Sequence, residues 1–442
     1  MSSLPPHWRD VLLAEITERP QYGWTTRGAS DGRVKLLRTS DITSGRIDWD
    51  SVPYCVEEPP DLAKYIVADG DIVVSRAGSV GASMRLTAVE PAVFASYLIR
   101  FRPTSEVDGA YLSWFMRSPD YWSQIASSSS GIAMPNVNAK KLSALRIPLP
   151  PMAEQQEIVA GIEEQVSRLD AAVESLDQAS HRLDGLIDAA LLKAITGHLV
   201  TADSSEGSGR SVLDAITGES REGVDPAPMI PTPDYWTTAE LRMVAETQLG
   251  KMLSKAAKVG MHAKPYLRNV NVQDGYFDLT DVATMDILPS ELDRFRLKDG
   301  DLLVCEGGAI GRCAVWRNQI QECYYQKALH RVRARPGVSG DYLGLVLRSY
   351  VRAKRLERFV TGITFQHLPQ EDLRLVPIPL PPTGEQLRIV SEMDRVTTTI
   401  GVLKEGLRVA YRRAASLRTA ILRDAFSGRL AVGVAGRRAP DE

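Results

Sequence analysis

The chain has 442 residues, of which 24% are charged and 44% are hydrophobic, and its 53 basic and 55 acidic residues give a formal net charge of −2. This length allows two or three domains, each with its own core. The near-zero net charge excludes a protein that binds nucleic acid or a membrane through bulk positive charge, so any such binding must come from local patches.

The lengths of the apolar runs and the spacing of the cysteines indicate where the protein is located and whether its thiols are reduced. No run reaches the roughly 18 apolar residues of a membrane span, and the first residues lack the apolar core of a signal peptide. We therefore expect a cytoplasmic protein. Its four cysteines lack the x-x spacing of a zinc or redox motif and are expected to be reduced thiols; they are Cys55, Cys305, Cys313 and Cys323.

In chain order, residues 1–150 carry short β-branched or alternating runs punctuated by Gly and Pro, which predict a strand-rich mixed domain with one or two helices. Residues 151–199 carry a heptad seam and predict a long helix. Residues 200–232, rich in Ser, Gly, Glu and Pro, predict a linker that is mobile in part. Residues 233–381 predict a second globular domain, 382–430 a second helix and 431–442 a tail.

The two halves are copies of one unit. Asp69-Gly70-Asp71-Ile72 recurs as Asp299-Gly300-Asp301-Leu302, at an offset of 230 residues. The strongest block, Ile147-Pro148-Leu149-Pro150-Pro151 with Glu154-Gln155, recurs as Ile378-Pro379-Leu380-Pro381-Pro382 with Glu385-Gln386. Each unit therefore consists of one globular domain and one helix.

Neither long helix can bury its apolar stripe alone, so we expect the two to pack together within the chain. The predicted seam positions of the first helix are Ile162, Val166, Leu169, Val173, Leu176, Ser180, Leu183, Ile187, Ala190 and Ala194. Those of the second are Ile389, Met393, Val396, Ile400, Leu403, Leu407, Ala410, Ala414, Leu417 and Ile421. The linker can span a parallel or an antiparallel arrangement, and the residues alone favour neither.

Motifs for catalysis are missing: the chain has no Gly-x-x-x-x-Gly-Lys-Ser/Thr loop, no His-Glu-x-x-His and no Asn-Pro-Pro-aromatic segment. Two Gly-rich turns, 76–81 and 306–312, follow strand-like runs. Each is predicted to be a hairpin turn that needs positive φ, and each could also face DNA, where Arg contacts phosphate or guanine. A nucleotide-binding role for these turns is a weaker hypothesis.

Polar loops and basic residues supply the candidate DNA contacts, because Asn and Gln pair with adenine and Arg and Lys pair with guanine or phosphate. The same residues could instead be helix caps, turns or a solvated basic helix face. The candidates are Arg38, Arg76, Ser79, Asn136, Asn138, Lys140, Lys141, Lys264, Arg268, Arg312, Arg352, Arg355, Thr364, Gln366 and His367.

With its duplicated domain, boundary motif and long helix, the chain resembles the specificity subunits of type I restriction-modification systems over nearly its whole length. The resemblance implies an α+β fold: two tandem mixed α/β target recognition domains, each followed by a long helix, with the helices forming an antiparallel coiled coil. Each domain would read one half of a bipartite asymmetric site in double-stranded DNA, and the coiled coil would set the gap.

The resemblance also implies partners. Two modification (methyltransferase) subunits and restriction (endonuclease and translocase) subunits would dock on this chain and carry S-adenosylmethionine, ATP and Mg. The complex would methylate adenine N6 and cleave DNA, while this chain would be non-catalytic and hold no cofactor or metal. The alternative hypothesis is a coiled-coil scaffold whose globular ends bind proteins rather than DNA.

Overall fold

The computed structural model describes residues 4–43, 45–129, 136–218, 226–252, 260, 262–362 and 366–430. The chain divides into two compact units. The first unit comprises Met1–Asp177 and Arg408–Glu442, and the second comprises Gln178–Leu407. Each unit thus contains one globular domain together with segments of both long helices.

The first unit contains three small sheets and five short helices among its described residues. Its strands are β1 Arg9–Leu12, β2 Gln21–Tyr22, β3 Gly28–Ala29, β4 Lys35–Leu37, β5 Tyr54–Cys55, β6 Ile72–Ser75, β7 Ser83–Arg85, β8 Ala92–Phe94, β9 Leu98–Phe101 and β10 Arg146–Leu149. Its short helices are α1 Thr39–Ile42, α2 Leu62–Tyr65, α3 Gly109–Phe115, α4 Pro119–Ser129 and α5 Ala139–Ser143. The sheet orders are β2-β9-β6-β7, β3-β5-β4-β8 and β1-β10.

Strand β6 is the centre of the first domain because both of its faces are buried. Ile72 and Val74 pack in the core that also holds α3 and α4, whereas Val73 packs on the opposite side with Leu37 and Phe94. Successive side chains of a strand point to opposite faces, so one four-residue apolar run serves two cores. Strands β6 and β7 form an antiparallel hairpin.

The second unit repeats this plan. Its strands are β11 Thr237–Glu240, β12 Ala245–Leu249, β13 Ala263–Leu267, β14 Ala283–Asp286, β15 Leu302–Cys305, β16 Cys313–Val315, β17 Tyr324–Tyr325, β18 Leu329–Ala334 and β19 Pro377–Leu380. The sheet orders β12-β18-β15-β16, β14-β13-β17 and β11-β19 match those of the first unit, except that β3 has no described counterpart. The repeat in the sequence is therefore a repeat of the fold.

The remaining helices include the two long ones that the heptad pattern predicts. The short helices are α7 Gly209–Thr217, α8 Leu241–Val244, α9 Leu292–Phe295, α10 Gly340–Arg352 and α11 Gln370–Arg374. The long helices are α6 Met152–Ile195 and α12 Thr383–Phe426, each of 44 residues. Helix α7 lies in the segment that the sequence predicts to be a linker, with Leu213 buried in the core of the second unit.

Burial follows the predicted seam only in part. Ile162 and Ile389 are fully buried, but Leu403 is 51% and Leu417 is 55% exposed. A straight helix drifts by about 20° per heptad against a strict seven-residue repeat, so seam positions rotate out of contact with distance. The prediction of two long helices is confirmed, and the prediction that Leu403 and Leu417 are covered is wrong.

The repeated boundary motif is a structural anchor. The indole N–H of Trp8 donates to Glu154 (3.0 Å), and that of Trp236 donates to Glu385 (3.1 Å). Burial raises the pKa of Glu385, against the lowering effect of the hydrogen bond from Trp236. Because Glu154 and Glu385 lie in the first turns of α6 and α12, these bonds fix each domain to the helix that follows it.

Each long helix also ends against the start of a domain. Gly197 (φ 73°), just beyond α6, lies so close to Pro233 that a Cβ would come within 2.5 Å of its Cγ. Likewise, a Cβ on Gly428 (φ 72°), just beyond α12, would come within 2.4 Å of the Cγ of Pro5. In each unit a domain is therefore packed on the start of one long helix and the end of the other.

Candidate nucleic-acid interface

The Gly-rich turn has the same geometry in both units. In the first, Gly78 (φ 78°) and Gly81 (φ 84°) have positive φ and connect β6 to β7. In the second, Gly308 (φ 73°) and Gly311 (φ 75°) connect β15 to β16. The predicted hairpin turns are confirmed. Since a strand rather than a helix follows each turn, neither has the helix N-terminus that supports phosphate binding in nucleotide-binding loops.

In the first unit, the predicted residues around this turn come together. The Arg76 guanidinium lies over the Tyr22 ring, 5.2 Å from its centroid, and the Tyr22 hydroxyl oxygen accepts a hydrogen bond from the backbone N–H of Ala139 (2.9 Å). The Asn138 side chain caps helix α5 by accepting from the backbone N–H of Lys141 (2.9 Å). The turn and the start of α5 therefore form one surface, with Tyr22 between them.

The other candidates of the first unit differ in how far they are available to DNA. Ser79 and Lys140 are exposed, and Asn136 is half-buried. The Lys141 ammonium donates to the backbone oxygen of Ser128 (2.5 Å). Arg38 is 44% exposed and paired with Asp41 at 2.8 Å. Ser79 and Lys140 thus lie open to a ligand, whereas Lys141 and Arg38 are already held by protein groups.

In the second unit, the turn is held by Asn269, which sequence reasoning missed. The Asn269 amide N–H donates to the backbone oxygen of Gly307 (2.9 Å), and the Asn269 backbone oxygen accepts from Arg312 (2.8 Å). His367 forms an isolated bridge to Gly307, which brings it to the turn. The 230-residue repeat offered the only sequence signal for Asn269, since it aligns Asn269 with Thr39 near the first turn.

The flanking candidates of the second unit have varied surroundings. Gln366 is exposed beside His367. Arg268 pairs with Asp281 at 2.8 Å, and Lys264 pairs with Glu322 at 2.7 Å. Thr364 lies outside the described residues. Arg312 therefore lies in the turn and His367 bridges to it, while Arg268 and Gln366 are the chain neighbours of Asn269 and His367.

Arg352 is held by two carboxylates. Its guanidinium pairs with Asp188 on helix α6 and with Asp274, both at 2.6 Å. Burial alone would raise the pKa of Asp274, but hydrogen bonds from Arg348 and Arg352 bring it below its ordinary value. Arg355 lies beside Arg352 and lines a cleft with Asp188. The helical spacing that predicted a phosphate-contacting face here describes an ion-paired junction between α6 and the second domain.

The described residues contain no cluster of three or more His, Cys, Asp and Glu side chains that could hold a metal ion. All four cysteines are buried free thiols, and burial raises the pKa of Cys305 to about 11 and that of Cys313 to about 12. Within the described ranges, no helix combines the length and apolar character needed to cross a membrane.

Comparison with known proteins places this fold and its duplicated surface in context. The Type I restriction modification DNA specificity domain matches residues 17–175 and again residues 233–409. The specificity subunit of the type I restriction enzyme EcoKI from Escherichia coli K12 is 23% identical over 90% of this chain and 83% of its own length. That of EcoBI, from Escherichia coli, is 24% identical over 90% and 80%.

Solved structures show the same fold. A chain from a study of the assembly and conformational transition of the type I R-M system aligns with a TM-score of 0.73 and 20% identity, over 97% of this chain and 100% of that one. The HsdS subunit from Thermoanaerobacter tengcongensis aligns with a TM-score of 0.54 and 21% identity, over 97% and 98%. The chain belongs to the type I restriction-modification DNA specificity family and carries two copies of the family's domain.

Proposed function

We propose that this chain is the DNA sequence-recognition subunit of a type I restriction-modification complex, and that each domain reads one half of a bipartite, asymmetric site. One observation carries the proposal: the same turn-centred surface occurs in both units with different side chains. A shared scaffold with different hydrogen-bonding groups is what two dissimilar half-sites require. The family match supports the same conclusion.

The two long helices set the gap as an antiparallel coiled coil. Contacts within each unit support this proposal. In the first unit Asp170 pairs with Arg418, and the Tyr411 hydroxyl donates to Asp177 (2.5 Å). In the second unit Lys404 pairs with Asp184 at 2.6 Å. Within the first unit, residue numbers rise along α6 as they fall along α12, which is the order that an antiparallel pair gives.

The chain itself is non-catalytic in this proposal. Two modification subunits dock near the helices and carry S-adenosylmethionine for adenine N6 methylation, and restriction subunits carry ATP and Mg. The names of the relatives support a place in a restriction system, in which the chemistry belongs to other subunits. A cytoplasmic location is part of the same proposal. The scaffold alternative is not favoured, because the matched family is defined by DNA specificity.

Sequencing that detects N6-methyladenine tests the proposal in a host that expresses this chain with its modification partners. We expect methylation at one gapped motif with a fixed gap length, and none at that motif in a matched host that lacks this chain. Methylation of an ungapped motif, or methylation that does not depend on the chain, would contradict the proposal. A scaffold would show no salt-dependent duplex binding even with the partners present.

A further inference from the structure

The first residue of the Gly-rich turn is rigidly held in the first unit. Arg76 donates its backbone N–H to the oxygen of Tyr97 (2.9 Å), and its backbone oxygen accepts from Val137 (3.1 Å). Its backbone is therefore fixed between strand β9 and the segment that leads into α5. The stacking on Tyr22 limits where the guanidinium can point.

Glu306 occupies the equivalent position in the second unit. It donates its backbone N–H to the oxygen of Ala328 (3.0 Å), and its backbone oxygen accepts from Leu368 (2.7 Å). These two bonds reproduce those of Arg76, since Leu368 follows Val137 by the 231-residue offset of this part of the repeat. The two positions therefore correspond by hydrogen bonding as well as by alignment.

The two side chains are opposite in charge. Among the described residues, no carboxylate pairs with Arg76 and no cation pairs with Glu306. Both residues are half-buried at the edge of the turn. A charged side chain that stands on a fixed backbone, is partly exposed and has no counter-charge among the described residues is suited to a ligand that supplies the complementary group.

Resting on the proposed function, we propose that this position determines specificity in both domains, with Arg76 reading guanine and Glu306 reading cytosine. In the major groove guanine presents two acceptors, O6 and N7, which match the donors of Arg, whereas cytosine presents the N4 amino donor, which a carboxylate accepts. A phosphate contact would suit Arg76 but would repel Glu306. Because one held position carries both charges, it faces base edges rather than the backbone.

The experiment compares adenine-methylation motifs for the full chain with its modification partners and for single variants. We expect Arg76→Ala to relax one G·C position of the first half-site, with discrimination falling by roughly 5- to 150-fold, the range for one bidentate base contact. Arg76→Gln should shift that position towards adenine, which Gln pairs with bidentately. Glu306→Ala should relax one position of the second half-site where cytosine faces the protein, and Glu306→Gln, which keeps an acceptor oxygen, should relax it less.

Arg33→Ala is the matched control, since it also removes one Arg of the first domain, but one that is already paired with Glu58 at 2.7 Å. It should leave the motif unchanged. Two results would overturn the inference: in Arg76→Ala, methylation that falls equally at DNA sites with any base at the tested position, and in Glu306→Ala, methylation that rises equally at such sites. A phosphate contact or the net charge of the protein would then explain the effect. The wild-type motif tests the proposed function separately, so the two failures are distinguishable.

Discussion

Phe426, the last residue of the second long helix, belongs to the core of the first domain. Its ring contacts Tyr111 and Phe115 edge to face, with centroids 5.2 and 5.3 Å apart, and the side chain is 1% exposed. Truncating a buried Phe to Ala costs about 3–5 kcal/mol, through lost transfer energy and the cavity left behind. We expect Phe426→Ala to destabilise the first unit by this amount, because two aromatic contacts are lost with it.

Hydrogen exchange of the full chain, followed by mass spectrometry, resolves this effect by unit. Peptides of β9, α3 and α4 should exchange about 100- to 4,000-fold faster in Phe426→Ala, because each 1.4 kcal/mol is a factor of ten, while peptides of the second unit keep their rates. Leu417→Ala is the control on the same helix, since this side chain is 55% exposed and should change stability by less than about 0.5 kcal/mol. Unchanged exchange in the first unit, or equal acceleration in both units, would refute the reasoning.

Two further predictions concern the stability of the second unit and the salt dependence of DNA binding. Burial lowers the pKa of His330 to about 4, and its Nε2–H donates to Leu368 (2.9 Å). As the pH falls below 6.5, His330 is therefore protonated in the unfolded chain before it is protonated in the folded unit, and the free energy of unfolding should fall by about 3 kcal/mol by pH 4. We expect Tm to depend less steeply on pH in His330→Gln. An equally steep dependence in the variant would contradict this prediction. Arg352→Ala should leave the salt slope of DNA binding unchanged, whereas exposed Lys140→Ala should lower it by about one; a lower slope for Arg352→Ala would show a phosphate contact.

Local patterns predicted the parts of the fold that depend on neighbouring residues. Positive φ at Gly78 and Gly308 follows from a tight turn between two apolar strands, and the long helices follow from a regular apolar repeat. The sequence also contains the boundary signals of helix α7, which was predicted to be part of a linker: Ser208 caps its start and Gly218 (φ 74°) ends it. The Ser- and Gly-rich composition of the segment suggested a linker, because Ser and Gly are typical of linkers as well as of helix caps.

The candidate surface could be predicted only where a residue's role depends on its own segment. Tyr22 meets Arg76, and Asn269 meets Gly307, only after strands distant in sequence have paired. Arg352 illustrates a second limit of sequence patterns. Its helical spacing suggested a basic face, but carboxylates from two distant segments neutralise it. Sequence spacing gives the position of a charge on a helix and not its partner.

The most direct test of the central claim, that each domain reads one half-site independently, is an exchange of residues 1–150 for the corresponding domain of another family member. Adenine-methylation motifs are then compared between the hybrid and the parent chain, each with the same modification partners. We predict that the first half-site changes while the second half-site and the gap length stay the same. A change in both half-sites, or a first half-site that is unchanged, would contradict the account.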